Sequence, residues 1–169
     1  MHKLMIRETT IEDLENVLNL WNDGDVMKFV GFPNGLGVDL NHLKEQWFPT
    51  VNKNIRRKHY SIYHEDLGYC GESFYSVHDN LKCALDIKLL VKARGKGIAY
   101  KALKHAINEA FTIGKALAVY VDPNKQNEKA IALYKKLGFI EHKHPSKEVG
   151  INHYYFEIRY NDWLTKKEG

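Results

Sequence analysis

Apolar residues recur along the chain at two spacings, one typical of strands and one typical of helices. Short runs with alternating or continuous apolar positions predict strands. They lie at Leu4–Arg7, Tyr60–Tyr63, Tyr69–Val77, Leu81–Val91, Leu117–Val121, Phe139–Lys143 and His153–Tyr160. Apolar residues three and four positions apart predict helices at Ile11–Trp21, about Asp39–Val51 with a break near Pro49, Ala99–Phe111 and Asn127–Leu137. The order β-α-α-β-β-β-α-β-α-β-β is typical of a mixed sheet with helices packed on it.

Local signals mark where three of these helices begin or end. Thr10 and Asp13 have the spacing of a capping box, which predicts a helix that begins just after Thr10. Gly114 and Gly138 follow the last apolar positions of two helices, where glycine is the preferred residue for ending a helix. These signals place the helices independently of the apolar pattern.

Composition narrows the class of protein. The chain has 169 residues, of which 44% are hydrophobic and 27% charged, so it can bury a core as one domain without a metal or disulfide. Its net charge of +4 is too small to indicate nucleic-acid binding. Its apolar runs are too short to span a membrane, and the N-terminal residues do not resemble a signal peptide. We therefore expect a soluble, cytoplasmic protein with no membrane or nucleic-acid partner.

Two cysteines, Cys70 and Cys83, are too few for a disulfide framework or a zinc site. On paired antiparallel strands they would lie about six residues apart along the ladder, or roughly 20 Å at the rise of a strand. A disulfide needs Cα atoms within about 7 Å. Both cysteines are therefore predicted to be free thiols.

The segment Leu89–Ala99 carries the clearest chemical signal. An apolar strand runs into a turn with two glycines and then directly into an amphipathic helix. The first turn of a helix presents unpaired N–H groups and the positive end of its dipole, and glycines let an anion come close to them. Residues 82–104 contain six Lys and one Arg against one Asp, a net charge of +6. The turn therefore predicts a phosphate-binding site, although it has the pattern of neither a P-loop nor a dinucleotide fingerprint.

Two motifs in this order resemble the GNAT superfamily of acetyl-CoA-dependent N-acetyltransferases. The first is the loop Arg94–Ala99 (RGKGIA), and the second is Asn127–Phe139, with its Asn, its aromatic-bearing helix and its Leu-Gly-Phe ending. Ile6-Arg7 and Glu12–Leu14 are similar to the usual opening of the family. The resemblance implies a single α/β domain over residues 4–160, with a mixed, mostly antiparallel sheet and helices on both faces. Residues 161–169 would then form a C-terminal tail.

The resemblance also implies where coenzyme A binds. The main chain of the loop would wrap the pyrophosphate, which assigns that role to Arg94, Gly95, Lys96, Gly97, Ile98 and Ala99. The preceding strand would separate from its neighbour and offer main-chain groups to the pantetheine arm and the acetyl carbonyl. By position, these groups belong to Leu89 and Ile87. Asn127 would bond the same arm, although it is equally suited to act as a plain helix N-cap.

Tyr134 occupies the aromatic position that the family places near the thiolate leaving group. The departing sulfur needs a proton, and a phenol within hydrogen-bond reach can donate one. The alternative is a core tyrosine, because Ala130, Leu133 and Leu137 beside it have the pattern of buried residues. For the general base the resemblance leaves three candidates, Asp122 at the end of a strand and Glu72 and Asp86 on the central strands.

The hairpin between the central strands bears on two of these candidates. If the residues on either side of a two-residue turn at Asp79-Asn80 pair, Glu72 lies opposite Ile87. Side chains alternate across a sheet, so Asp86, next to Ile87, then points to the other face from Glu72. On this register at most one of the two carboxylates reaches the cleft, unless a bulge intervenes.

The function that follows is transfer of acetyl from acetyl-CoA to a primary amine by direct attack in a ternary complex. The acceptor could be a small molecule or a peptide, including a protein N-terminus, a polyamine, an amino acid or an aminoglycoside, and Asn22–Arg57 is expected to shape its pocket.

The alternative function is a non-catalytic module that binds coenzyme A and regulates another process. Nine histidines occur without a metal-binding spacing, so no metal is expected. A homodimer is compatible with this reading.

Overall fold

The computed structural model describes residues 3–167, whose strands form one seven-stranded sheet. The strands are β1 (Leu4–Glu8), β2 (Arg57–His64), β3 (Gly68–Val77), β4 (Lys82–Leu89), β5 (Ala118–Val121), β6 (Ile140–His142) and β7 (Tyr155–Arg159). The helices are α1 (Leu14–Trp21), α2 (Gly24–Met27), α3 (Leu40–His42), α4 (Ile98–Thr112), α5 (Glu128–Leu137) and α6 (Tyr160–Lys167).

The sheet is mixed and mostly antiparallel, as the sequence predicts. Its strand order is β1-β2-β3-β4-β5-β7-β6, and only the β4–β5 pair in this order is parallel. Helices cover both faces of β3. Tyr75 packs with Leu103 and Ile107 of α4 on one face, whereas Glu72, on the other face, bonds Trp21 at the end of α1.

The β4–β5 pair is the feature of the sheet that makes room for a ligand. The two strands pair only from Lys82 with Ala118 to Ala84 with Tyr120. β4 continues alone on this side as far as Leu89, while it stays paired with β3 over its whole length. The strands therefore diverge toward the N-terminus of α4, which confirms the predicted separation.

The predicted register of the β3–β4 hairpin is wrong by one residue. Glu72 lies opposite Lys88, and Val77 lies opposite Cys83. The turn has three residues because Leu81 adopts a left-handed conformation with φ of +60° and its N–H bonds the carbonyl of His78. A shift of one residue moves every side chain of a strand to the other face. Glu72 and Asp86 consequently point to the same face, contrary to the sequence-based deduction.

Helix ends agree with the sequence at most positions. The Thr10 N–H donates to Asp13 Oδ2 at 2.8 Å in the predicted capping box, although the first turn, Ile11–Asp13, is a 3₁₀ helix. Gly138 ends α5 with φ of +97°.

The end of α4 differs from the expectation. The residue with a left-handed conformation after this helix is Lys115, at φ of +59°, and not Gly114. A Cβ at Gly114 would lie 2.8 Å from the Ala110 carbonyl oxygen, so close packing requires this glycine.

Three further expectations concern longer segments. The helix expected at residues 39–51 is divided into α3, a π-helical segment at Leu43–Trp47 and a 3₁₀ turn at Phe48–Thr50 that contains the proline. In the expected C-terminal tail at residues 161–169, the described residues belong to helix α6 as far as Lys167, and Trp163 is buried in the main core, while residues 168 and 169 lie outside the described part of the chain. Cys70 and Cys83 are both buried free thiols, as predicted.

Candidate active site

The N-terminus of α4 forms a cradle of main-chain N–H groups. Gly95 and Gly97 both have φ of +74°, a left-handed conformation that glycine adopts without strain. A Cβ built at either glycine would meet no protein atom within 4 Å. The space beside both glycines is therefore open, which suits the close approach of a phosphate.

The Arg94 side chain stabilises this turn through hydrogen bonds and does not point freely into solvent. Its guanidinium donates to the Leu89 carbonyl at 3.2 and 3.1 Å and to the Asp25 carbonyl at 3.1 Å. These bonds connect the end of β4, the phosphate turn and α2. The Leu89 carbonyl thus has a partner within the chain, and the N–H groups of the turn remain the groups suited to an anion.

A cavity of about 960 Å³ lies where β4 and β5 separate. It brings together most of the site residues that the sequence singled out, namely Asp86, Ile87, Leu89, Arg94, Gly95, Gly97, Ile98, Ala99, Asp122, Asn127 and Tyr134. Lys96 and Glu72 are not part of its lining. Lys129 and Lys136 of α5 add positive charge to the wall, which matches the phosphates of coenzyme A.

Asn127 serves as the N-cap of α5. Its side-chain oxygen accepts the Ala130 N–H at 3.3 Å. The side chain therefore caps the helix through its oxygen, and its amide nitrogen is left to donate a hydrogen bond to a ligand in the cavity that Asn127 lines. The two roles predicted for Asn127 are compatible.

Tyr134 lies on α5 with only 6% of its surface exposed and packs against Phe139 at 5.7 Å between ring centroids. Burial raises the pKa of its phenol well above the ordinary value of 10, and the negative charges of Asp86 and Asp122 raise it further. The phenol therefore stays protonated at neutral pH. Within residues 3–167 its hydroxyl forms no hydrogen bond, so it is available to a ligand in the cavity.

Glu72 is buried in a polar network on the opposite face from α4. Its carboxylate accepts the Trp21 indole N–H at 2.9 Å and lies 2.9 Å from His59 Nε2 and 3.5 Å from Lys88 Nζ. Burial alone would raise its pKa, but His59, Lys88 and Trp21 outweigh this effect and lower the pKa to about 2. A carboxylate this strongly held is a poor proton acceptor, and its contacts are typical of a structural anion.

Lys88 connects this network to the cavity. Its ammonium also pairs with Asp86, whose carboxylate lines the cavity. Burial alone would lower the pKa of Lys88, but Asp86 and Glu72 raise it by more. The sequence did not indicate a role for Lys88 or His59. Only the correct hairpin register places Lys88 beside Glu72, and His59 reaches Glu72 from the neighbouring strand β2.

Asp122 follows β5 at the edge of the cavity and has a different environment from Asp86. Desolvation raises the pKa of Asp122, His153 and His144 oppose the increase, and the charge of Asp86 adds to it. Among residues 3–167, no cation lies within ion-pair distance of Asp122, whereas Asp86 pairs with Lys88. A carboxylate with a raised pKa and no salt bridge is the better proton acceptor of the two.

The lining of the cavity also includes the turn after α2, with Lys28, Phe29, Val30 and Gly31. This turn lies within the segment Asn22–Arg57 that the sequence assigned to the acceptor pocket. His153, between β6 and β7, also lines the cavity, and the sequence offered no signal for it.

Comparisons with known proteins identify the family. The family model described as Acetyltransferase (GNAT) domain matches residues 3–140. The chain belongs to this family. It is therefore an acetyl-CoA-dependent N-acetyltransferase, which transfers an acetyl group to a primary amine.

Individual relatives show what this chain is similar to. Spermidine N(1)-acetyltransferase of Escherichia coli (strain K12) is 30% identical over 139 residues, which cover 82% of this chain and 73% of that protein. The Vibrio cholerae protein of the same name is 33% identical over 66 residues, 39% of this chain and 38% of that protein. The crystal structure of Vibrio cholerae spermidine N-acetyltransferase in complex with CoA and spermine aligns with a TM-score of 0.82 at 21% identity, over 95% of this chain and 98% of that chain.

Residues 3–167 contain neither a metal-binding cluster nor a membrane-spanning helix. No group of three or more His, Cys, Asp or Glu side chains is arranged to hold a metal ion. No helix in the same range is long and apolar enough to cross a membrane.

Proposed function

We propose that this enzyme acetylates a primary amine of a polyamine by direct attack in a ternary complex. The observation that carries the proposal is the single cavity that contains the phosphate cradle, the tyrosine phenol and two carboxylates. Relatives named as spermidine N(1)-acetyltransferases support a polyamine as the acceptor. Asp122, which lines the same cavity and forms no salt bridge among residues 3–167, would attract an ammonium group of such an acceptor.

The proposed roles follow the geometry of the cavity. The N–H groups of the turn after Arg94, whose own N–H bonds the Val91 carbonyl, hold the pyrophosphate. The main chain of β4 at Ile87 and Leu89 positions the pantetheine arm through groups other than the Ile87 N–H, which bonds Asp86, and the Leu89 carbonyl, which bonds Arg94. Asp122 accepts a proton from the acceptor ammonium, directly or through water. The amine nitrogen then attacks the thioester carbonyl and passes its second proton to water. The C–S bond breaks as Tyr134 donates its proton to the sulfur, and Asp122 returns its own proton to solvent once the amide has formed. The tyrosinate regains a proton from solvent before the next turnover.

The acceptor class is tested by measuring release of free coenzyme A with acetyl-CoA and four amines. We expect spermidine to have a kcat/KM at least about tenfold higher than an amino acid, an aminoglycoside or a short peptide, because the Asp122 carboxylate, which has no salt bridge among residues 3–167, favours an acceptor with several positive charges. Mass spectrometry of the product should show one added acetyl group. Equal or better turnover of a mono-cationic acceptor would contradict the polyamine proposal, and absence of turnover with every amine would favour a coenzyme A-binding module.

The general base is tested through the pH dependence of kcat at saturating substrates. Because the pKa of Asp122 is raised above its ordinary value of 3.8, we expect kcat to fall as pH decreases through that raised pKa. Asp122→Asn should lower kcat by about 100-fold and remove this acid limb. Asp86→Asn is the matched control and should keep the limb. The assignment is wrong if the limb survives in Asp122→Asn and disappears in Asp86→Asn.

Two expectations from the sequence remain part of this proposal. A cytoplasmic location agrees with two buried free thiols, which are typical of a reducing compartment. A homodimer stays a prediction.

A further inference from the structure

A second cavity, of about 430 Å³, lies on the same sheet face as Asp86. We call it the distal cavity and define it by His78, Lys82, Tyr120, Asp122, His144 and Tyr155, which are among its lining residues. It is large enough for a ligand of several heavy atoms, since one water occupies about 30 Å³. Asp122 lines both the main cavity and the distal cavity, so the two cavities adjoin at this residue.

The wall of the distal cavity is a row of aromatic rings. The Tyr120 ring is stacked with His78 at 6.1 Å and with Tyr155 at 5.4 Å between centroids. His144 meets the edge of Tyr155 at 5.8 Å. Such a wall offers apolar surface to methylene groups. The Tyr120 hydroxyl lies 3.1 Å from His78 Nε2 and the Tyr155 hydroxyl donates to Glu157 Oε2 at 3.1 Å, so each oxygen keeps a lone pair that can accept from a ligand donor.

The charges in the distal cavity favour a cation. The ammonium of Lys82 is already neutralised, because it donates to Glu157 Oε2 at 2.6 Å and lies 5.8 Å from the centre of the Tyr155 ring. Asp122 forms no ion pair among residues 3–167, and only His153 and His144 oppose the rise of its pKa through their charge. The uncompensated charge at the junction of the cavities is therefore negative.

The spacing of the groups matches the spacing of amines in a polyamine. Side chains two residues apart on one face of a strand, such as Tyr120 and Asp122, are about 6–7 Å apart. A spacer of three or four carbons places two amine nitrogens about 5–6 Å apart at ordinary bond lengths of roughly 1.5 Å. An acceptor with its reacting nitrogen at Asp122 would thus place its next nitrogen near Tyr120.

From these observations we infer that the distal cavity binds the second ammonium group of an acceptor whose primary amine reacts beside Asp122. The inference rests on the proposed polyamine acceptor and adds the place where the rest of that acceptor lies. The aromatic row contacts its methylene spacer, and the Tyr120 hydroxyl accepts a hydrogen bond from its distal nitrogen. An acceptor with a single amine fills the main cavity alone.

The test compares spermidine with propylamine, which lacks a second ammonium group. Tyr120→Leu removes the ring and the hydroxyl and keeps an apolar side chain. We expect the KM for spermidine to rise about five- to tenfold, because the distal ammonium loses its hydrogen bond and aromatic wall. The KM for propylamine and for acetyl-CoA should stay within about twofold of the wild-type values, which also shows that the variant is folded.

A second variant tests the charge of the distal cavity. Asn80 is an exposed residue at the cavity, so Asn80→Lys adds a positive charge there. Because the Asn80 side chain accepts the Lys82 N–H at 3.0 Å, the melting temperature of this variant is compared with that of the wild type. We expect the KM for spermidine to rise about three- to fivefold and the KM for propylamine to stay constant. Asn161→Lys makes the same charge change at an exposed position that lines neither cavity, and it should leave both KM values unchanged.

The outcomes separate this inference from the proposed function. If the wild-type enzyme acetylates spermidine and both variants change the two KM values equally or not at all, the distal cavity does not bind the acceptor and the proposed function stands. If the wild-type enzyme prefers propylamine to spermidine, the polyamine proposal and this inference both fail. A selective rise for spermidine in both variants supports the inference.

Discussion

Replacing Tyr134 with Phe is expected to lower kcat by about 100-fold while the affinity for acetyl-CoA barely changes. Tyr134 lines the cavity, and the raised pKa of its hydroxyl keeps it protonated when the thioester breaks. A proton donated in the transition state affects kcat, whereas ground-state binding does not depend on it. General acid catalysis typically contributes about 10²–10⁴-fold, and a thiolate is a fair leaving group, so the lower end applies. Pre-steady-state measurement of acetyl transfer would isolate the chemical step.

Tyr69→Phe provides the matched control for this experiment. Tyr69 is buried to a similar extent, its hydroxyl has no hydrogen-bond partner in the described chain, and it does not line the main cavity. Both variants lose one hydroxyl and keep the ring, so their melting temperatures should be close to that of the wild type. We expect Tyr69→Phe to keep full activity. A Tyr134→Phe enzyme within about threefold of the wild-type rate would remove Tyr134 from the general-acid role.

Replacing Gly97 with Val is expected to weaken acetyl-CoA binding by about 100-fold. A β-branched residue resists the left-handed conformation that Gly97 adopts at φ of +74°, so the turn must change its path. The new side chain would also occupy the open space beside the N–H groups of the cradle. Hydrogen bonds to a charged group contribute roughly 1.5–3 kcal/mol each, and the loss of one or two accounts for the expected change. Isothermal titration calorimetry with acetyl-CoA measures the effect directly.

Gly37→Val separates the loss of binding from backbone strain. Gly37 has φ of +73°, and a Cβ there also meets no atom within 4 Å, but the residue lies outside the cavity. The two substitutions therefore carry similar strain and should lower the melting temperature to a similar extent. We expect acetyl-CoA affinity to be normal in Gly37→Val. If Gly97→Val binds acetyl-CoA within about threefold of the wild type, the phosphate cradle is assigned to the wrong turn.

The parts of the site that depend on local sequence could be predicted without the structure. The turn of Gly95 and Gly97, the cap at Asn127 and the placement of Tyr134 on α5 each follow from a few consecutive residues. Local steric limits and hydrogen bonds between near neighbours determine such features, so their patterns can be read directly. The same motifs were enough to predict the family and the cofactor.

The positions of the carboxylates depend on contacts between distant parts of the chain. One left-handed residue, Leu81, changes the β3–β4 register, and this change brings Glu72, Lys88 and Asp86 together on one face. No pattern in either strand reveals that residue, because its conformation depends on how the hairpin closes. The distal cavity likewise exists only where β4, β5 and β7 lie side by side with the segment that contains His144. Strand register and the approach of remote loops are set by the packing of the whole sheet, which is why only the folded structure shows which of the predicted groups share a cavity.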